Sequence, residues 1–177
     1  MSAGPAPDTA DLRTGAPIHD ALLALLPLVG VWTGAGTGVA PDGANFAFGQ
    51  QLRFVHDGRP FLAYESRAWL LDGDGAVIRQ AWRESGFWRM GAGEDDVEVV
   101  LASNTGEALV YSGVAGDQRW EIATSSAQGT PTAKVVDAER RLYAVVEDAL
   151  VYVSELAPHA RAMAPHLNAR LGRERTG

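Results

Sequence analysis

The residues able to do chemistry in this chain are few. It has no cysteine, which excludes disulfides, thiolate nucleophiles, iron–sulfur clusters and thiolate-bound zinc. Metal chemistry must draw on four histidines, His19, His56, His159 and His166, and on carboxylates. His166 falls within Arg161–Gly172, a segment that reads as a short helix opened by Pro165 and stopped by Gly172. On the residues alone, His166 reads as a surface histidine of an amphipathic helix. His56 stands beside Asp57-Gly58 at a hairpin tip and is expected to be solvated. His159 follows Pro158 and is a weaker ligand candidate, and His19 belongs to a helix start. Ser85 and Ser112 lack a nucleophile elbow, and Asp95-Asp96 lies in a turn-like stretch, so a hydrolase is poorly supported. Trp69, Trp82, Phe87 and Trp88 suit the wall of an apolar cavity.

Gly30-Val-Trp-Thr-Gly-Ala-Gly-Thr-Gly38 places glycine at every second position after Trp32. In a strand those glycines share one face. Because glycine weakens a strand, such a row implies a close approach by a bend of the sheet, another strand or a flat ligand. The spacing does not match a nucleotide loop, and no helix follows. Trp32 reads as a core residue at the barrel floor.

The elements that must position these residues are strands. From Gly30 to about Ala157, short segments rich in Val, Tyr, Trp and Phe are separated by turn signals such as Asp57-Gly58, Asp72-Gly73-Asp74-Gly75 and Asn104-Thr-Gly106. Phe61, Ala63, Glu65, Arg67 and Trp69 fall on one face, and Leu62, Tyr64, Ala68 and Leu70 on the other. Nine or ten such strands without intervening helices predict an all-β, antiparallel up-and-down barrel, with a short N-terminal helix and a short C-terminal helix. A barrel of about ten strands cannot fill its middle with its own side chains, so a ligand cavity is expected. Residues 1–17, rich in Ala, Pro, Gly, Thr and Asp, read as a flexible tail, and 18–177 as one domain. In the first helix Asp20 is the expected cap, Leu22, Leu23, Leu25 and Leu26 the apolar side, and Pro27 the limit.

The net charge is −7 and the apolar share 46 %. The scattered basic residues argue against a nucleic-acid partner, and the group Arg170, Arg173 and Arg175 reads as a solvated helix end. No stretch approaches the ~20 apolar residues of a membrane helix. Without a signal-peptide pattern, cytoplasmic residence is expected.

The Gly30-x-Trp-x-Gly-x-Gly-x-Gly38 series resembles the opening motif of the nitrobindin family of haem-binding barrels. Phe54-Val-His-Asp-Gly-Arg-Pro-Phe-Leu-Ala-Tyr64 is similar to that family's second hairpin, and Glu84-Ser-Gly-Phe-Trp-Arg89 to its Glu-Ser/Thr-Gly-aromatic-x-Arg strand. Pro131-Thr-Ala-Lys134 and Met163-x-Pro-His-Leu-x-x-x-Leu171 extend the resemblance to nearly the whole ordered chain. It implies that His166 is the proximal ligand of a ferric haem b, and that Lys134 pairs with a propionate. It further implies interaction with nitrogen oxides: nitric oxide binding and isomerisation of peroxynitrite to nitrate. It leaves room for a homodimer.

The chain departs from the family where Asp42, in Ala40-Pro41-Asp42-Gly43, replaces the threonine beside the haem. Gln50-Gln51 replaces an acidic pair, and Trp82 stands where relatives place a histidine. An indole there would either shield the distal face or fill the space haem needs. The alternative function is a haem-free barrel carrying a fatty acid or other small apolar ligand.

Overall fold

Alternation along the chain becomes ten strands because each second side chain leaves water. The computed structural model describes residues 4–134, 136–158 and 160–175; His159 lies outside them. The strands are β1 (Gly30–Val39), β2 (Asn45–Val55), β3 (Leu62–Leu71), β4 (Val77–Met90), β5 (Asp96–Ser103), β6 (Glu107–Gly116), β7 (Arg119–Gly129), β8 (Val136–Val146), β9 (Ala149–Pro158) and β10 (Ala164–Arg173). Each pairs antiparallel with its sequence neighbour, and β1 pairs with β10, which closes the barrel. Closure gives every strand a neighbour on both sides. In β3, Leu62, Tyr64, Ser66 and Ala68 are buried between less buried or exposed neighbours.

One end of the barrel is sealed by the segment Asp20–Leu28, a 3₁₀ helix. Three residues per turn put Leu22, Leu25 and Leu28 on one line, and all three are fully buried while Leu23 is exposed. Burial of each leucine contributes ~1.5–3 kcal/mol. The cap is His19 rather than Asp20: its Nδ1 accepts from the Ala21 N–H at 3.1 Å. Two indoles fasten the plug, Trp32 Nε1 donating to the Leu28 carbonyl at 2.8 Å and Trp120 Nε1 to that of Ala24 at 2.9 Å. Trp32 is thus the floor residue expected.

The glycine row of β1 serves the neighbouring strand and two phenylalanines. A Cβ on Gly34 would lie 2.3 Å from the Arg170 carbonyl oxygen of β10, and one on Gly36 2.1 Å from that of Asn168. One on Gly38 would run into the Phe46 ring. Close packing of β10 and of side chains from β2 therefore accounts for the glycines.

Two further expectations are corrected. The segment Arg161–Gly172 does not form a helix: from Ala164 onward it is β10, the closing strand. Leu167, Ala169 and Leu171 alternate with Asn168 and Arg170, and β1 and β9 each offer it a partner edge, so ladder bonds outweigh the local helix signals. Arg170 and Arg173 accordingly lie on a strand. His56 is not solvated but 1 % exposed. It exchanges backbone hydrogen bonds with Thr9 (2.8 and 3.0 Å), which lays the N-terminal segment over the hairpin tip.

Candidate functional site

The end opposite the plug is the open mouth, and His166 stands on its rim at an irregularity in β10. Pro165 pairs with Glu155 and Leu167 with Ser154, so His166 is an extra residue in the ladder to β9, a β-bulge. A bulge re-aims a side chain that a regular strand would fix to one face. The imidazole is oriented by a second contact, its Nδ1 lying 2.9 Å from the Val39 carbonyl of β1. A carbonyl only accepts, so Nδ1 carries a proton, and in the neutral ring Nε2 is left with its lone pair. Nε2 makes no hydrogen bond among the described residues.

His166 borders two depressions. The larger, about 1100 Å³, is walled at the mouth by Gly38, Phe46, Leu70, Ser154, His166 and Leu167. It continues over outward-facing side chains of β7 to β9, including Arg119, Glu121, Arg140 and Glu155, so its volume is not that of the lumen alone. The smaller, about 220 Å³, lies between the β1–β2 turn and the β9–β10 connection and includes Pro41, Arg161 and Pro165 beside His166. An aromatic row crosses the mouth from His166: Phe46 at 6.5 Å between centroids, then Trp82 at 6.3 Å from Phe46, and Phe48 at 5.1 Å from Trp82.

The other residues singled out from the sequence lie differently. Trp82 faces into the mouth, packed on Phe46 and Phe48 as part of that row. Asp42 is exposed in the β1–β2 turn, where its Oδ1 accepts from the Ala44 N–H at 3.0 Å. Lys134 is exposed in the β7–β8 connection and lines neither depression. Of the Gln50-Gln51 pair, Gln50 points inward, accepting from the Tyr152 hydroxyl at 2.8 Å and donating to Ser66 at 3.0 Å.

Sequence reasoning missed a charged layer inside the barrel. Arg141 donates to both oxygens of Glu84 at 2.9 and 2.6 Å and to both of Glu139 at 2.8 and 2.9 Å. Tyr111 donates to Glu139 at 2.6 Å. Burial alone would push the Arg141 guanidinium down; the charges of Glu139 and Glu84 outweigh that and hold it well above its ordinary value. Burial pushes the hydroxyls of Tyr64, Tyr111, Tyr143 and Tyr152 up, so all four stay protonated. The signal was the inward parity of Glu139-x-Arg141-x-Tyr143 in a strand. The β7–β8 ladder also ends at Ala123 and Arg140, although β7 runs on to Gly129. There the Thr124 hydroxyl takes over, accepting from the Glu139 N–H at 3.0 Å.

Among the described residues no group of three or more His, Asp or Glu side chains could cage a metal ion. A single imidazole with one oriented nitrogen suits instead a prosthetic group that brings its other ligands, and haem iron is held in this way. The profile of the family described as "THAP4-like, heme-binding beta-barrel domain" matches residues 21–173. The chain belongs to this nitrobindin family of haem-binding barrels. It is 46 % identical over 171 residues to a protein of Salinispora arenicola named peroxynitrite isomerase, covering 94 % of this chain and 87 % of that one. It is 44 % identical over 169 residues to a ferric nitrobindin-like protein of Saccharopolyspora erythraea, covering 94 % and 79 %. The barrel also superposes on the crystal structure of Rv2717c from M. tuberculosis with a TM-score of 0.78 at 32 % identity, covering 89 % of this chain and 99 % of that one. Among the described residues no helix of this nitrobindin is long and apolar enough to cross a membrane.

Proposed function

We propose that this nitrobindin binds ferric haem b through His166 and isomerises peroxynitrite to nitrate, binding nitric oxide at the same place. The observation that carries this reading is the bulged His166, whose Nδ1 is engaged by the Val39 carbonyl while Nε2 is unengaged. Bound haem would supply an iron centre at which a small nitrogen oxide can be held and rearranged. The chain's own residues provide the setting. The Val39 carbonyl fixes the tautomer and raises the basicity of the ligand nitrogen. Phe46, Trp82, Leu70 and Leu167 give the mouth an apolar wall that favours a flat, greasy macrocycle over bulk water. Trp82 packs an indole, which does not ligate iron, against Phe46 and Phe48 of the mouth, so His166 is the residue that would hold the group there.

The carrier alternative finds less support. A fatty-acid carboxylate inside a barrel needs a free cation, and the guanidinium within this lumen is already engaged by Glu84 and Glu139. Adding a third carboxylate would bury excess negative charge, which is costly.

An absorption titration of the purified protein with ferric haem tests the reading. A saturable one-to-one shift to a histidine-ligated Soret spectrum is expected, and its loss in His166→Ala. An unchanged spectrum in that variant would remove His166 from the role. Haem-loaded protein should accelerate peroxynitrite decay with nitrate as product; no acceleration over free haem would confine the function to binding.

A further inference from the structure

Arg161 is the cation placed beside the imidazole. Its Nη1 donates to the Pro41 carbonyl at 2.8 Å, two residues along from the Val39 carbonyl that engages His166. The two side chains thus lean on the same short piece of backbone, at carbonyls separated by no more than about 7 Å of chain. Both line the smaller depression, whose remaining wall is the β1–β2 turn, the end of β9 and small or apolar residues leading into and opening β10. The Arg161 backbone N–H donates to the Pro158 carbonyl at 2.9 Å.

The other cations lining the two depressions are spoken for. Arg119 lies 3.6 Å from Glu121, and Arg140 3.7 Å from Glu155. Among the described residues no carboxylate lies within ion-pair distance of Arg161, and Asp42 turns its carboxylate to Ala44 instead. A guanidinium has five N–H donors in a fixed fork, and one hydrogen bond to Pro41 leaves most of them for another acceptor. Planar paired donors match an oxyanion such as a carboxylate in a bidentate manner.

We infer that Arg161 is the anchor for an oxyanion held beside His166, whereas the family resemblance implies a propionate pairing for Lys134. The inference rests on the haem reading above. Two sources offer that chemistry: a propionate carboxylate of haem, or a small anionic ligand approaching the iron. Arg161 is a positioning residue in the first case and a docking residue in the second.

The test compares wild type, Arg161→Gln and Lys134→Gln. Each is titrated with ferric protoporphyrin IX haem and with its dimethyl ester, whose carboxyl groups carry no charge. Nitrite is then added to the haem-loaded proteins and its binding rate followed at low and high salt. Arg161→Gln should weaken binding of the free-acid haem about fivefold, the scale of one partly exposed charge pair, and leave the ester unaffected. Unchanged haem affinity with a slower, less salt-dependent nitrite rate would assign the oxyanion to the small ligand. Both readouts unchanged, or the loss appearing in Lys134→Gln instead, would overturn the inference. Failure of the wild type to bind either porphyrin is a different result: it removes the haem reading, and this inference with it.

Discussion

At the scale of single residues, charges placed out of reach of water decide most. Arg141 neutralises one of two carboxylates it touches and satisfies the oxygens of both, while Tyr111 adds a further donor to Glu139. Removing the guanidinium would strand two buried carboxylates, so Arg141→Met should cost about 3–5 kcal/mol in urea unfolding. Replacing Glu84 and Glu139 by Gln in the same protein should recover a large part of that loss, because the uncompensated charge goes with them. A cost below about 1 kcal/mol for the single change would mean that water reaches the cluster. His166 behaves differently. Its imidazole rests on one carbonyl at the rim, so His166→Ala should lower haem affinity far more than it lowers the stability of the haem-free fold.

The outer face offers a pH prediction of its own. Glu65 of β3 is met by Arg67, by Arg83 of β4 and, at 3.6 Å, by Arg53 of β2. Partial burial would push its carboxyl up, yet the bonds from Arg67 and Arg83 outweigh this and hold it below the ordinary value. A carboxyl depressed on folding adds stability that is complete above the ordinary glutamate range. That contribution is lost as pH falls through the lower folded value. Glu65→Gln should therefore reduce stability at neutral pH and flatten the acid limb of the stability curve, read as midpoint against pH. An acid limb identical to wild type would show that solvent screens the cluster completely.

At the scale of elements, β1 and β10 depend on each other through what β1 lacks. A methyl on Gly36 would meet the Asn168 carbonyl at 2.1 Å and the Phe48 ring at 2.7 Å. Backbone cannot step aside as a side-chain tip can, so Gly36→Ala should cost about 1–3 kcal/mol as an overpacking substitution. It should also weaken haem binding, because β10 carries His166, the proposed ligand. A thermal melt and a haem titration of the same variant check both halves. This strand pair also shows where sequence was readable and where it was not. The strands from Gly30 to Ala157 were legible because turn signals punctuate them and alternation repeats within them. The Arg161–Gly172 segment carried the punctuation of a helix, Pro165 before and Gly172 after, and that punctuation concealed the period-two order of Leu167, Ala169 and Leu171. In the fold Pro165 sits at the bulge, and Gly172 is an ordinary ladder position opposite Thr33 and Ala149. The plug carried a similar ambiguity: four leucines fit an α-helix, whereas only the three-residue spacing of Leu22, Leu25 and Leu28 explains which are buried.

At the scale of the whole molecule, the barrel divides its labour between its ends. The plugged end holds indoles and leucines and contributes stability; the mouth holds the bulge, the aromatic row and Arg161. The candidate ligand at the mouth was legible only through resemblance, since no spacing of histidines marks a site that needs just one. The interior charge layer was open to parity reasoning once the strands were placed, because Glu84, Glu139 and Arg141 all fall on inward positions. Haem that binds the folded state alone should raise the melting temperature in proportion to the logarithm of its concentration. His166→Ala should lose that dependence while melting near the wild-type haem-free value. A concentration-dependent rise of equal size in the variant would place the binding elsewhere on the molecule.

The pairing of β1 with β10 also sets the order in which this nitrobindin can become competent. Val39 and His166 are 127 residues apart in sequence, and contacts of such separation are entropically the slowest to form. The eight hairpins from β2 to β10 can assemble locally, one after another, without ever creating the tautomer-fixing contact at the rim. Only ring closure brings the Val39 carbonyl to the imidazole. In a refolding experiment the histidine-ligated spectrum would then rise with the last kinetic phase, trailing the burial of most tryptophans, and the cofactor itself would serve as the clock for barrel closure.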